Sequence, residues 1–414
     1  SRARILPQPS VDLTNCDREP IHRLGAIQPF GFLLAVGSDW RVARASANLS
    51  SFLGRSAQEV IGLSVLDLLG EETMHAIRNR LSMIRGADSV ERIFGVRAGP
   101  QGALFDFAVH VSEVSIVIEA EPSQPEMPGA AASTVRSMMQ RLENTQSMDA
   151  FLRDGARQVR ALTGFDRVMV YRFDEHGSGE VVAEAARDGV GSFLGLHYPA
   201  SDIPVQARAL YLRNLFRIIA DVNAESVPVV PELDERGRPL DLSMSILRAV
   251  STIHIEYLRN MGVEASLSIS IVVDGKLWGL FACHHYAPLL PSFERRSIAE
   301  LFGQLFASNL ESRERRSAVE FEIRGRQIAD RLIASAAEDS GLLADPDWIA
   351  EAIGDSIPSD GIGVWLDNSC ALCGQTPSEP EFADIVRQLK TDAQGEVFAT
   401  DHLASFMGRE GGHG

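Results

Sequence analysis

The chain has 414 residues, 45% of them hydrophobic and 23% charged, and a formal net charge of -17. At about 150 residues per domain this length implies two or three domains, and the composition excludes a disordered or fibrous chain. The negative charge, with no Lys/Arg stripe, argues against nucleic acid; no run nears the ~18 apolar residues a bilayer requires, and Ser1–Pro7 lacks the apolar core of a signal peptide, so a cytoplasmic location is expected.

Residues 28–120 alternate short strand-like and helical stretches. Phe105, Phe107, Val109 and Val111 recur with the period of two expected of a half-buried strand, which indicates a small α+β domain. The proline-rich stretch 121–133 has no periodicity and reads as a connector. A helical pattern over 135–162 leads into strands at 166–173 and 180–186, then a helical insertion. A hairpin follows, Leu267–Val273 and Lys276–Ala282 around the two-residue loop Asp274-Gly275. Between 294 and about 336 there is no proline, and Ile298, Leu301, Phe302, Leu305, Phe306 and Leu310 recur at steps of three and four. This predicts one very long helix, which either pairs with a copy of itself or joins two domains, with the charged stretch 311–316 as its solvated middle. Beyond it, Gly361–Leu366 and Glu396–Ala399 read as strands of an incomplete third domain.

The chemistry-bearing residues are sparse. Four cysteines, at 16, 283, 370 and 373, are too few for a disulfide framework, and Cys370–Cys373 lacks the second pair of ligands a zinc site needs. Ser266, Ser268 and Ser270 share one face of a strand, opposite Leu267, Ile269 and Ile271. Such a face suits hydrogen bonding to an anionic ligand, and equally suits plain exposure to water. His254, His284 and His285 lie near it in sequence, and Arg208, Arg213, Arg217 and Arg248 precede it, residues that could grip a carboxylate or simply sit at the surface. In Pro199-Ala-Ser-Asp-Ile-Pro204 two prolines bracket Asp202, so the segment is either irregular or a helix start capped by Ser201 or Asp202. Cys283 and His284 are strand neighbours that point to opposite faces, and no phosphate loop, zinc-protease helix or nucleophile elbow occurs. No enzyme active site is expected.

Cys16 with Glu19-Pro-Ile-His22 and Gly25-Ala-Ile-Gln-Pro29, then Pro199–Pro204, His254-Ile-Glu-Tyr-Leu-Arg-Asn-Met-Gly262 and Leu277-Trp-Gly-Leu-Phe-Ala-Cys-His-His285, closely resemble the bacteriophytochrome family, in the family's order and over nearly the whole chain. The resemblance implies an α+β fold. It has an N-terminal arm (1–15), a PAS-like domain (16–121), a linker (122–134), a GAF domain (135–313) ending in the long helix and a partial, GAF-related PHY domain (314–414). PAS and GAF antiparallel-sheet domains would be joined by a figure-of-eight knot. It further implies a red/far-red photoreceptor that binds biliverdin, a linear tetrapyrrole, through a thioether at Cys16 and switches by isomerisation at the D ring. Partners would be a second copy through the long helices, a C-terminal output module, usually a histidine kinase, and a response regulator. Neither nucleic acid nor membrane is expected, and no activity in this chain beyond self-attachment of the bilin.

Residue by residue, the resemblance assigns the Asp202 backbone carbonyl to the pyrrole N–H groups, with a water and His254 nearby, and counts Ile203 and Pro204 of the same motif among the chromophore-binding residues. Arg217 and Arg248 go to one propionate, and Ser266, Ser268 and His254 to the other. His284 goes to the D-ring carbonyl, and Tyr171, Tyr198 and Tyr257 to the wall around that ring. Asp17 and Glu19 disfavour a thiolate, so the assembled pocket would have to activate Cys16. There are departures. Phe30 stands where the family commonly has histidine, and no tongue motif of the Pro-Arg-x-Ser-Phe kind is found. An ideal Asp274-Gly275 loop also pairs Ser266 with Cys283, putting His285 on the serine side; a bulge near the strand end would restore His284. The alternatives are a GAF-type sensor of another small ligand and a dimerisation scaffold with a vestigial pocket; Cys16 argues against both.

Overall fold

The computed structural model describes residues 19–86, 88–124, 130–354, 357–392, 397–400 and 403; Cys16 lies outside the described residues. In chain order the elements are β1 (Ala26–Ile27), β2 (Phe32–Val36), β3 (Val42–Ser46), α1 (Leu49–Leu53), α2 (Ala57–Val60), α3 (Val65–Leu69), α4 (Glu71–Leu81), β4 (Val90–Ala98), β5 (Ala103–Ser112) and β6 (Ser115–Pro122). Then come α5 (Ala130–Glu143), α6 (Met148–Thr163), β7 (Arg167–Phe173), β8 (Gly179–Ala186), β9 (His197–Tyr198), α7 (Val205–Arg213), β10 (Phe216–Ile219), β11 (Val227–Val230), α8 (Thr252–Asn260), β12 (Ala265–Val273), β13 (Lys276–His285) and α9 (Phe293–Glu338). The last elements are α10 (Pro346–Ile353), β14 (Gly361–Leu366), β15 (Ser369–Gly374) and α11 (Glu379–Asp392). Contacts divide the chain into two units, 1–311 and 312–414.

The first sheet of the larger unit has the order β1-β11-β3-β2-β6-β5-β4. Its outer face carries Phe32, Leu34, Phe105, Phe107 and Ile118 into a core closed by the short helices α1–α4. Local chemistry fixes those helices: Ser56 and Glu59 form a reciprocal capping box on α2, and Ser64 caps α3. The strand expected to be half-buried is buried on both faces. Phe105, Phe107 and Val109 point one way and Asp106, Ala108 and His110 the other, and only Val111 of the series is exposed, at 40%. The second face is covered because Leu33, Ala35, Ala108 and Val117 join a cluster with Leu240, Leu242, Ile246 and Leu247, from a loop more than 100 residues downstream.

That loop also grips the N-terminal segment. β1 pairs with β11, Ala26 opposite Pro228, and the Val229 N–H donates to Gly25 O. On the other side Leu242 N–H donates to His22 O, Gln28 N–H to Leu247 O and Ala249 N–H to Ala26 O. Residues 22–28 are thus held between two stretches of one loop, the crossing a figure-of-eight knot requires. Phe30 packs against the shared core, with the Arg296 guanidinium 5.8 Å from its ring.

The second sheet has the order β10-β12-β13-β7-β8-β9. One face packs on α6 and the first part of α9, where Phe151 and Phe306 stack at 4.5 Å. The β12–β13 ladder starts as Val273↔Lys276 and Val272↔Leu277, then skips Trp278 to continue Ile271↔Gly279 and reach Ser266↔His284. This bulge lies beside the turn and moves every later pair by one residue. His284 therefore stands with the serines. Cys283 is buried in the core on the opposite face, where burial raises its thiol pKa.

The long helix is present, with 46 residues. Ile298, Phe302, Phe306 and Leu310 form its buried stripe, whereas Leu301 and Leu305 are exposed, and residues 315–327 are exposed throughout. In the smaller unit, Asp345 caps α10 with Pro346 at its first turn, and β14 and β15 form a hairpin turned by Asp367 and Asn368, both at positive φ. The strand expected at Glu396–Ala399 is not formed: Glu396 is outside the described residues, and Val397, Phe398 and Ala399 are irregular. Val397 is 99% exposed, and among the described residues no strand pairs with it. Cys370 and Cys373 are free thiols on β15, three residues apart and so on opposite faces, with Cys373 Sγ 2.7 Å from Asp347 Oδ1. Among the described residues no helix is long and apolar enough to cross a membrane.

Candidate functional site

The face of the second sheet away from α6 and α9 is roofed by α7, α8 and the Pro199–Pro204 segment. Ala200–Asp202 makes one 3-10 turn, and α7 starts after Pro204 with no side-chain cap. Neither Ser201 nor Asp202 caps a helix. The Asp202 carboxylate instead accepts a hydrogen bond from Tyr257 Oη at 3.3 Å.

Two adjoining cavities open beneath this roof. One, of about 530 Å³, is lined by residues that include Glu19, Pro204, Arg217 and Arg248. The other, of about 90 Å³, is lined by residues that include Tyr171, Tyr198, Ile203, Ser266, Ser268 and His284. Asp202, Tyr211, His254 and Tyr257 border both. Every described residue that the family resemblance assigns to the pocket therefore lines one cavity or the other. Cys16 is not described; Glu19, three residues later, accepts a hydrogen bond from Ser251 Oγ at the edge of the larger cavity.

Two of these side chains carry unspent hydrogen-bonding capacity next to the larger cavity. Arg217 Nη2 donates to the carbonyls of Arg248 (2.5 Å) and Ala249 (2.8 Å), while Arg217 Nη1 and Arg248 Nη1 are buried without a partner. Neither guanidinium has an ion pair among the described residues. Burial, then mutual repulsion, lowers the Arg217 pKa far below its ordinary value, and burial brings Arg248 down to about 10. A pair of desolvated cations with free N–H groups is built to receive an anion, and the planar fork favours a carboxylate.

Ser268 lies opposite Arg217 across the β10–β12 ladder, on the same side of the sheet. His254 stacks on Tyr257, ring centroids 6.1 Å apart, and burial with the nearby Arg217 lowers its pKa to about 4. His284 is likewise lowered to about 4, by burial and then by Arg167 and His254, and its Nδ1 is buried without a partner. Both imidazoles are neutral at pH 7 and can each donate one N–H. Tyr171 and Tyr198 lie with ring centroids 6.0 Å apart; burial and then Asp202 push the Tyr171 phenol to about 12. A side chain at position 179 would collide with the Tyr171 ring, so Gly179 makes room for this aromatic wall.

Other candidates lie elsewhere. Ser270 Oγ donates to Tyr211 O, beneath α7. His285 pairs with Asp166 at 3.0 Å, Arg208 donates to Gly177 O, and Arg213 pairs with Asp88 at 2.7 Å. Sequence reasoning missed Ala207, Leu210, Tyr211 and Asn214, which line the larger cavity from α7 and the residue after it. Their spacing of three, one and three marks one helical face, a signal available in the sequence. Among the described residues no group of His, Cys, Asp and Glu could hold a metal.

Three family models match the chain in order: a PAS fold over residues 16–123, a GAF domain over 147–311 and a phytochrome region over 325–410. The photosensory core module of a Stigmatella aurantiaca phytochrome superposes with a TM-score of 0.78 at 34% identity, covering 96% of this chain and 80% of that one. The chain belongs to the bacteriophytochrome family. A bacteriophytochrome chromophore-binding domain from Stigmatella aurantiaca, solved in the Pr state, is 38% identical with a TM-score of 0.67, and covers 72% of this chain and 99% of its own. Among curated proteins, the bacteriophytochrome of Pseudomonas aeruginosa is 37% identical over 95% of this chain, and that of Xanthomonas campestris 35% over 94%. This bacteriophytochrome chain spans 53% and 64% of their respective lengths.

Proposed function

We propose that this chain is the photosensory part of a red/far-red light receptor whose cavity holds biliverdin, attached through a thioether at Cys16. The observation that carries the reading is the pair of buried arginines with unspent N–H groups beside a cavity of about 530 Å³. Paired cations without counter-ions fit a ligand bearing carboxylates, as a bilin does through its propionates. When bound, the bilin supplies absorption of red light and a double bond beside its D ring that isomerises.

Arg217 and Arg248 hold one propionate; Ser266, Ser268 and His254 hold the other. Asp202 offers its carbonyl to the pyrrole N–H groups. His284 donates its single N–H to the D-ring carbonyl oxygen, and Tyr171, Tyr198 and Tyr257 close around that ring. Glu19 and Ile21 line the larger cavity, and the proposed attachment residue, Cys16, precedes Glu19 by three positions in the sequence. Leu301 and Leu305, exposed on α9, give two copies an apolar surface for pairing. A C-terminal output module, a histidine kinase by family habit, and a response regulator complete the proposed pathway, in the cytoplasm.

Mixing the purified chain with biliverdin, denaturing it and exposing the gel to zinc tests this reading. A fluorescent band that disappears in Cys16→Ser is expected. No band, or one undiminished by the substitution, contradicts attachment at Cys16.

A further inference from the structure

Glu119 lies on β6 in the first sheet, fully buried, and touches neither cavity. Its Oε1 accepts hydrogen bonds from Ser245 Oγ and from Leu247 N–H at 2.9 Å, and its Oε2 accepts one from Ile246 N–H at 3.0 Å. His110 Nδ1 lies 3.9 Å from Oε2, and the Arg217 guanidinium acts on the same carboxyl through its charge. Burying a carboxylate this deeply is costly, and an apolar residue would serve the packing alone as well. What the carboxylate adds is geometric: it gathers three donors from three consecutive residues that end immediately before Arg248.

The same stretch is held from its other end. Gln28 Nε2 donates to Arg248 O at 3.3 Å, and Arg217 Nη2 donates to Arg248 O and Ala249 O. The chain from Ser245 to Ala249 is thus pinned by Glu119 at one end and by Arg217 and Gln28 at the other, with the Arg248 side chain presented between them. We propose that Glu119 is a positioning residue of the ligand site: from the first sheet it fixes the backbone that aims Arg248 and, through the carbonyls of Arg248 and Ala249, the Arg217 fork. The inference rests on the reading that the ligand carries carboxylates for these arginines.

Glu119→Gln keeps the volume but leaves one carbonyl oxygen for three donors, so at least one faces an N–H group. The 414-residue chain carrying Cys16→Ser, in which bilin binding is reversible, is titrated with biliverdin and with its dimethyl ester, whose propionates are masked. The parent is expected to prefer the free acid. Loss of the paired carboxyl acceptors in Glu119→Gln is expected to shrink that preference about tenfold, with affinity for the ester unchanged. A general loss of stability would weaken both ligands alike. An unchanged preference in Glu119→Gln, or a parent that binds both ligands equally, overturns the inference. A parent that binds neither overturns the bilin reading beneath it. Should Glu119→Gln not fold by circular dichroism, Ser245→Ala, which removes one donor, is read in the same way: a smaller fall supports the role and an unchanged ratio overturns it.

Discussion

At the scale of single residues, the site is built from groups that are uncomfortable without a ligand. Arg248 is buried with an unpaired N–H, at a cost a bound carboxylate would offset. Arg248→Met should therefore stabilise the apoprotein by about 1–3 kcal/mol in urea unfolding while weakening biliverdin binding. His284 gives a pH signature. Its pKa falls from 6.5 to about 4 on folding, so between those values the unfolded chain binds the extra proton. Its contribution is intact above pH 6.5 and is lost as pH falls towards 4, about 2 kcal/mol at pH 5 from this residue. Thermal melts of the apoprotein at pH 7 and pH 5 should show a smaller acid loss in His284→Gln than in wild type; equal losses would contradict a buried neutral imidazole. Residue pattern named Arg248 and His284 as candidates but left plain surface roles equally open, and only the family resemblance gave them specific roles. Ser266, Ser268 and Arg217 meet because β10 and β12 pair, a register that period-two patterning does not specify. Glu119 gave no signal at all, since nothing local marks a strand carboxylate as buried beneath a distant loop.

At the scale of elements, close approach decides what each helix tolerates. A Cβ at Gly155 in α6 would meet three atoms of the Phe306 ring, itself stacked on Phe151 and fully buried. Gly325, on the exposed part of α9, has no atom within 4 Å of such a Cβ. Ala is favoured over Gly inside a helix by about 1 kcal/mol, so Gly325→Ala should stabilise by up to that amount. Gly155→Ala should destabilise by about 1–3 kcal/mol despite the same propensity gain, because the core there has no slack. Denaturant midpoints of the two variants check both signs. Elements defined by local pattern were legible in advance: the proline-free run became α9, and Asp274-Gly275 became the turn of the β12–β13 hairpin. The bulge at Trp278 could be inferred only as a conflict between an ideal turn and the residue the family places beside the serines. Of the strand expected at Glu396–Ala399, the described residues Val397–Ala399 are irregular, since pattern alone does not specify a pairing partner.

At the scale of the whole larger unit, the two sheet domains share structure rather than merely adjoin. β11 lies within the first sheet between β1 and β3, and one hydrophobic cluster includes residues from Ile27 to Leu310. Two ion pairs tie the first sheet to the start of α9: Arg296 with Glu121, both buried, and Arg92 with Glu300. Arg296→Ala leaves the Glu121 carboxylate buried and unpaired, which should cost about 3–5 kcal/mol. Because the core is continuous, residues 1–311 should lose the first and second sheets in one transition, in wild type and variant alike; two separated transitions for this unit in urea would contradict the shared core. Composition and periodicity gave no hint of this sharing, since β1 and β11 are about 200 residues apart and each is very short.

Whether this shared scaffold holds a photoactive bilin, as proposed, is tested most directly by the light-minus-dark absorption spectrum of the biliverdin-loaded chain. A red-absorbing band that red light diminishes and that darkness or far-red light restores is expected, with the same cycle repeatable in one sample. A covalently loaded chain whose spectrum is unchanged by illumination would contradict the proposal.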